Sequence, residues 1–444
     1  MNLAAPLWIA LVLAQGSAGD LLTQARAALD QGRLEEAGRL TARILALEPR
    51  HTEALYLNGT ILAASGRLAE AEQVLQQTVE LQPEAIPAVI GLAEVRNRLG
   101  KADLAVQTLD RGLASRPGEP VLLFQLAQLL ARRQDFKGAL ERLCAIPQDR
   151  YPPDYFEVLG RTLLSAGDLE GAQRAYQRFL QLHPDSVKTL QTLSAIALKR
   201  GAKNEAWEYI AQARKLAPNS AQVVFAFAGV SLENYLVSEA IMALRLLLLR
   251  EPDNPEYLLM LGNCVLESAT EFSKAVDYFR RYVELRPDDA LGHMMLGYGH
   301  YVNRDYDKAG AELRRTLEIQ PDFLEAEYYL AMIDYHGNRD EAAVERLEAL
   351  LKRRPDHHKA HTTLGKIFLR QRRFGEAVEH LQRAVELTGG TSDLHFNLSR
   401  TFTQLGDRAE AERQLALYQR FKVEEEKREQ EGRRLRFQEL REQQ

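Results

Sequence analysis

Gly59–Pro83 read GTILAASGRLAEAEQVLQQTVELQP. Leu62, Leu68, Ala71, Leu75 and Val79 lie on apolar stripes of helical period, on either side of a short polar turn containing Gly66. Two helices joined by a tight turn follow. Gly66 suits a helix C-terminus that needs positive φ, and Pro83 has no amide hydrogen with which to continue the second helix.

The same pattern recurs outward in both directions. Ala37, Ala71, Ala105, Ala139, Ala172, Ala206, Ala240, Ala275, Ala309, Ala343, Ala377 and Ala411 are separated by 34 residues, apart from one interval of 33 and one of 35. A small residue stands twelve or thirteen positions before each of them: Ala25, Gly59, Ala93, Ala127, Gly160, Ser194, Ala228, Gly262, Gly297, Ala331, Gly365 and Ser399. Proline closes most units, from Pro49 and Pro83 to Pro321 and Pro355. Small residues at matched places on two packed helices let the backbones approach, and a larger side chain there overpacks the contact by roughly 1–3 kcal/mol.

On these three series the chain resembles the tetratricopeptide repeat family, over about residues 18–425 and in about twelve repeats. The resemblance implies an all-α fold, an α-α superhelix wound as a right-handed solenoid. It departs from the family where the aromatic near the start of the first helix becomes His293, His361 and His395. Pro147, Pro152 and Pro153 also crowd one junction, where a local change of pitch is expected rather than a domain break.

Three segments are expected: a signal peptide over 1–18, the solenoid over 19–425 and a charged helix over 426–444. Leu3–Ala14 is apolar and uncharged, and small residues at Val12 and Ala14, or Gly16 and Ala18, suit cleavage before Gln15 or Gly19. No Lys or Arg precedes Leu3, so a first helix packed on the solenoid end is the alternative. Lys422–Gln444 carry seven acidic and seven basic side chains. They read as a solvated capping helix, or as a partner contact through Val423, Leu435, Phe437 and Leu440.

Among its 444 residues, 45% are hydrophobic and 27% charged, and the net charge is −5. An acidic balance argues against nucleic acid as the main partner. No apolar run after the N-terminal segment reaches the ~18 residues of a membrane span. Cys144 and Cys264 are too far apart in a stack of neighbour-only contacts to pair, so both are expected free and mostly buried.

Resemblance also implies that the first helices line a concave groove, at places offset by −6, −3, +1, +4 and +5 from each small residue. Early and middle repeats put Tyr56, Phe124 and Phe225 there among Glu94, Arg98 and Arg132. Later repeats put Met294, Tyr298 and Tyr301 beside Tyr328, Met332, Tyr335 and His336, followed by Lys366, Arg370, Phe396 and Arg400. Aromatic and Met side chains beside cations compose a binding hot spot, or they pad the contacts between neighbouring first helices. The family's carboxylate-gripping set has no complete match: Asn263 fits, but Leu259 and Met295 stand where polar partners belong.

His357, His358 and His361 could hold a metal with His336 or His300, yet they sit at a repeat junction where His often finishes a helix end. No phosphate-binding loop or nucleophile motif occurs, and no catalytic residue, metal site or cofactor is assigned. The sequence therefore reads as a non-enzymatic scaffold of a bacterial envelope or exterior, periplasmic or secreted, binding a partner peptide or helix in its groove. A polysaccharide ligand stacked on the tyrosines and a metal-dependent enzyme are the alternatives. Cytoplasmic residence follows if the N-terminus stays uncleaved.

Overall fold

The computed structural model describes the backbone of residues 17–267 and 272–442, and the side chains of 17–266 and 273–427. These residues form α-helices and one short 3-10 turn, with no strand among them. Helices come in pairs at the period of the sequence, from Ala18–Asp30 with Leu34–Leu47 to Ser392–Leu405 with Arg408–Glu442. The chain divides into two units, 1–202 and 203–444, the boundary falling at the turn inside the sixth repeat.

Within each unit, helices pack on their immediate chain neighbours and first helices pack on the first helices of adjoining repeats. Leu75 shows why. It lies on the second helix of repeat 2 (Leu68–Leu81), is 1% exposed, and joins Leu62 of its own repeat and Leu92 and Val95 of the next in one apolar cluster. Removing such a side chain from water stabilises the stack by roughly 1.5–3 kcal/mol. A Cβ on Gly59 would stand 2.5 Å from Leu75, and one on Gly365 would stand 2.5 Å from Leu381. The small-residue series thus marks where the two helices of a repeat press a large side chain against bare backbone.

The turn between paired helices needs a left-handed residue. Gly32, Gly66, Gly100, Gly167, Gly201 and Gly406 supply it at no steric cost. At the equivalent place in five other repeats the same conformation is held by Gln134, Tyr235, Arg304, Asn338 and Arg372. The turn geometry is set by packing of the helices on either side, so residues that disfavour it still adopt it.

The three histidines that replace an aromatic act as pins. His293, His361 and His395 each reach a residue nineteen positions on, in the second helix of the same repeat: Glu312 at 2.7 Å, His380 at 2.9 Å and Gln414 at 2.7 Å. The far ring nitrogens of His293 and His361 meet the carbonyls of Pro287 and Pro355, at 3.0 and 3.1 Å. One ring therefore ties both helices of a repeat to the linker before it.

Repeat 4 is irregular where Pro147, Pro152 and Pro153 crowd its end. In repeat 4 the second helix, Phe136–Cys144, has nine residues where its neighbours have fourteen, and the 3-10 turn Gln148–Arg150 follows. Tyr151 stacks on Tyr155 at 3.7 Å between ring centres, and Ile146 fills the space the lost turn leaves. Cys144 closes this shortened helix and is exposed, which corrects its expected burial; Cys264 is buried, and neither is disulfide-bonded. The junction lies inside the first unit.

The first helix runs Ala18–Asp30, capped by Ser17, whose hydroxyl accepts from the Asp20 amide at 3.1 Å while the Asp20 carboxylate accepts from the Ser17 amide at 3.2 Å. The expected segment boundary at residue 18 thus falls within a capping motif; the apolar stretch before it lies outside the described residues. At the other end one helix spans Arg408–Glu442 without a break at 426. Its inner part caps repeat 12: Phe421 stacks on His395 at 4.9 Å, and Glu425 accepts from the amide and hydroxyl of Ser392 at 3.0 and 2.6 Å. Leu435, Phe437 and Leu440 lie outside the side chains described. No helix among the described residues is long and apolar enough to cross a membrane.

Candidate functional site

The first helices of repeats 9 to 12 are Ala290–Val302, Leu324–His336, His358–Arg370 and Ser392–Leu405. The 34-residue period aligns their side chains in rows. One row runs Tyr298, Met332, Lys366, Arg400; a second runs Tyr301, Tyr335, Leu369, Thr403; a third runs Met294, Tyr328, Thr362, Phe396. Contacts between rungs show that adjacent helices lie side by side. Tyr301 reaches His336 at 3.0 Å, Thr363 reaches the Met332 sulfur at 3.4 Å, and Lys366 pairs with Asp393 at 2.7 Å.

The structure separates the candidates into packed and presented residues. Met294 and Tyr328 are buried, 5% and 9% exposed, and belong to the apolar clusters between repeats. Phe124, in the first unit, is likewise core. Tyr298, Tyr301, Met332, Tyr335 and Lys366 are half-buried, and His336, Arg370, Phe396 and Arg400 are exposed.

Tyr298 lies 4.9 Å from Tyr329, and Tyr301 lies 5.2 Å from it, so three tyrosines of repeats 9 and 10 form one cluster. Tyr306 joins from the second helix of repeat 9, stacking on His336 at 5.6 Å. Desolvation raises the Tyr301 and Tyr329 hydroxyls well above the usual phenol range, and neighbouring phenols add to it. Partial desolvation, with the Arg304 and Arg370 guanidiniums nearby, lowers His336. Neutral His336 then accepts the Tyr301 hydroxyl through Nε2. These are groups held uncharged on a surface that makes stacking and hydrogen-bond contacts.

Toward repeat 11 the chemistry changes. Arg370 lies 4.6 Å above the Tyr335 ring, donates to Asp340 at 2.9 Å in a two-pronged pair, and reaches the Asn338 side chain at 3.2 Å. A cavity of about 530 Å³ opens between the first helices of repeats 11 and 12. Tyr335, Lys366, Arg370, Arg372 and Arg400 line it, and no acidic side chain does. Phe396 flanks it from repeat 12, with Arg400 5.8 Å over its ring and Tyr418 5.3 Å away.

Tyr306, Tyr329 and Arg372 are outside the candidates the sequence offers. Tyr329 sits two residues before Ala331, off the groove register, and reaches the cluster because its ring is long. Arg372 and Tyr306 belong to the turn and to a second helix, places the first-helix register does not sample.

The histidine run has a structural role. His357 Nδ1 accepts from the Ala360 amide at 3.1 Å and so caps its helix, as His51 does for Ala54 at 3.3 Å in repeat 2. His361 is the pin described above. Among the described residues no three His, Cys, Asp or Glu side chains are grouped to hold a metal.

Tetratricopeptide repeat models match residues 28–121, in two overlapping stretches, and 158–221 and 236–422, the latter in five overlapping stretches. The chain belongs to the tetratricopeptide repeat family, a class of helical scaffold whose members bind protein partners. It is 29% identical over 210 residues to the protein CTR9 homolog of Arabidopsis thaliana, covering 45% of this chain and 19% of that one. It is 21% identical over 257 residues to the BBSome complex member BBS4 of Bos taurus, covering 58% and 49%. The matches thus span half or less of these relatives' length. Among solved structures, yeast Tom70 aligns with a TM-score of 0.43 at 15% identity, over 91% of this chain and 92% of that one.

Proposed function

We propose that this protein is a non-enzymatic interaction scaffold that holds a segment of a partner protein along the first helices of repeats 9 to 12. The observation carrying this reading is the change along one face, from half-buried tyrosines at Tyr298, Tyr301 and Tyr335 to cations at Lys366, Arg370 and Arg400. Tyrosine offers a large contact face with few rotors to fix, and arginine a planar donor set; both are enriched in interface hot spots. Replacing Tyr298 and Tyr335 by Ala tests it. Each removal costs about 2 kcal/mol of partner affinity if the surface is an anchor. An unchanged dissociation constant for the folded double variant would retire the reading.

The scaffold works in a bacterial envelope or outside the cell, the apolar Leu3–Ala14 stretch acting as an export signal. Ser17 favours one of the two cleavage positions. Cutting before Gln15 leaves the Ser17–Asp20 capping motif intact, whereas cutting before Gly19 removes the cap and costs about 1 kcal/mol of helix stability. Sequencing the N-terminus of the mature protein tests this: Gln15 first is expected, and Met1 first would place the protein in the cytoplasm.

A further inference from the structure

We propose that the cavity between repeats 11 and 12 receives an acidic side chain of the partner segment, an Asp or Glu within the bound chain. This rests on the groove reading above and adds the chemistry of the partner.

Charge is the first argument. Lys366 and Arg370 line the cavity but are already matched, to Asp393 at 2.7 Å and to Asp340 at 2.9 Å. Arg372 and Arg400 also line it and have no acidic partner among the described residues. Arg372 and Arg400 thus border a space of about 530 Å³ whose lining includes no carboxylate. A planar guanidinium recognises a carboxylate through paired donors, so an anion entering here gains charge-assisted hydrogen bonds.

Arg372 has φ 63°, in the turn where six other repeats place a glycine and where Gln134, Tyr235, Arg304 and Asn338 hold the same conformation. Glycine therefore fits this turn, so removing the Arg372 side chain in favour of glycine leaves the backbone conformation intact.

Position argues for a residue inside the partner chain. The tyrosine cluster lies on one side of the cavity and Phe396 with Tyr418 on the other. A bound segment therefore continues past the cavity in both directions, with apolar or aromatic residues toward repeats 9 and 10. A chain terminus would end there and leave half of this surface unused.

The test uses the full-length protein and fluorescent peptides blocked at both ends: hexaglutamate, hexaglutamine and hexalysine. At near-physiological salt hexaglutamate binds measurably and the other two do not. Arg372→Gly removes one guanidinium and relieves the turn, so weaker binding by this variant cannot be unfolding. Arg372→Gly and Arg400→Gln together weaken hexaglutamate at least about tenfold. Equal affinity of parent and double variant would overturn the proposal, as would equal binding of glutamate and glutamine peptides. A hexaglutamine peptide with a free C-terminal carboxylate that binds as well as blocked hexaglutamate would also overturn it, since the pocket would then take chain ends. Hexaglutamate has no aromatic group and reports on the cavity alone, whereas loss of the natural partner in the Tyr298→Ala/Tyr335→Ala variant reports on the groove reading.

Discussion

His361 and His380 meet Nδ1 to Nδ1 at 2.9 Å, with His361 also donating from Nε2 to the Pro355 carbonyl at 3.1 Å. With the Nε2 proton on His361 directed to that carbonyl, its Nδ1 accepts and His380 donates. Two imidazoliums cannot share this contact. Burial lowers His380, and the facing His361 ring lowers it further, against the opposite pull of Glu379, Glu348 and Glu376. Burial likewise lowers His300 and His357.

A histidine depressed in the folded protein titrates below its unfolded value of 6.5. Between those two values the unfolded chain binds more protons. Stability from these residues is therefore complete above pH 6.5 and is lost as pH falls through their folded values. Urea midpoints measured at pH 7.5 and 5.5 are expected to drop in acid. His380→Gln, which keeps a donor and does not titrate, is expected to reduce that drop. A midpoint that rises in acid would contradict the pairing.

Two glycine-to-alanine changes have opposite expected signs. Gly365→Ala puts a methyl group 2.5 Å from fully buried Leu381. Overpacking of about 1–3 kcal/mol outweighs the roughly 0.5–1 kcal/mol that alanine contributes to a helix. Gly229→Ala meets nothing within 4 Å in the helix Ala221–Glu233, so only the helix gain remains. Chemical denaturation should show the first variant weaker and the second stronger than the parent.

Arg304 occupies the left-handed turn position of repeat 9 with φ 62°. Arg304→Gly relieves a conformation that costs roughly 1–2 kcal/mol, offset in part by glycine's greater unfolded freedom. A net stabilisation of about 0.5–1 kcal/mol is expected in the same denaturation assay, and a loss would show that the Arg304 side chain makes a needed contact.

The repeat architecture was legible because its spacing reports a physical contact. The alanine and glycine series are the points where one helix admits a large side chain of another, as at Gly59 and Leu75. Turns were less legible: glycine signals a left-handed residue, but Gln134, Tyr235, Arg304, Asn338 and Arg372 adopt it under tertiary constraint with no local signal. At the candidate site the register places Tyr298 to Arg400 in rows by their spacing, and depth escapes it. Met294 and Tyr328 stand in one such row and are buried because the next helix covers them. Tyr306 and Arg372 enter from other elements and required three dimensions. Cys144 shows the same limit, since a helix that ends early exposes a residue its pattern would bury.

On the proposed reading, the rows from Tyr298 to Arg400 hold a partner chain. A photo-crosslinking residue placed at Tyr335, and separately at exposed Leu249 on a second helix, tests it directly in cells of the native host. The captured partner segment is identified by mass spectrometry, synthesised, and titrated against the parent and the Tyr298→Ala/Tyr335→Ala variant. Capture from position 335 and not from 249 is expected, with at least about tenfold weaker binding of that segment by the folded variant. Capture from 249 alone, or equal affinity for both proteins, would contradict it.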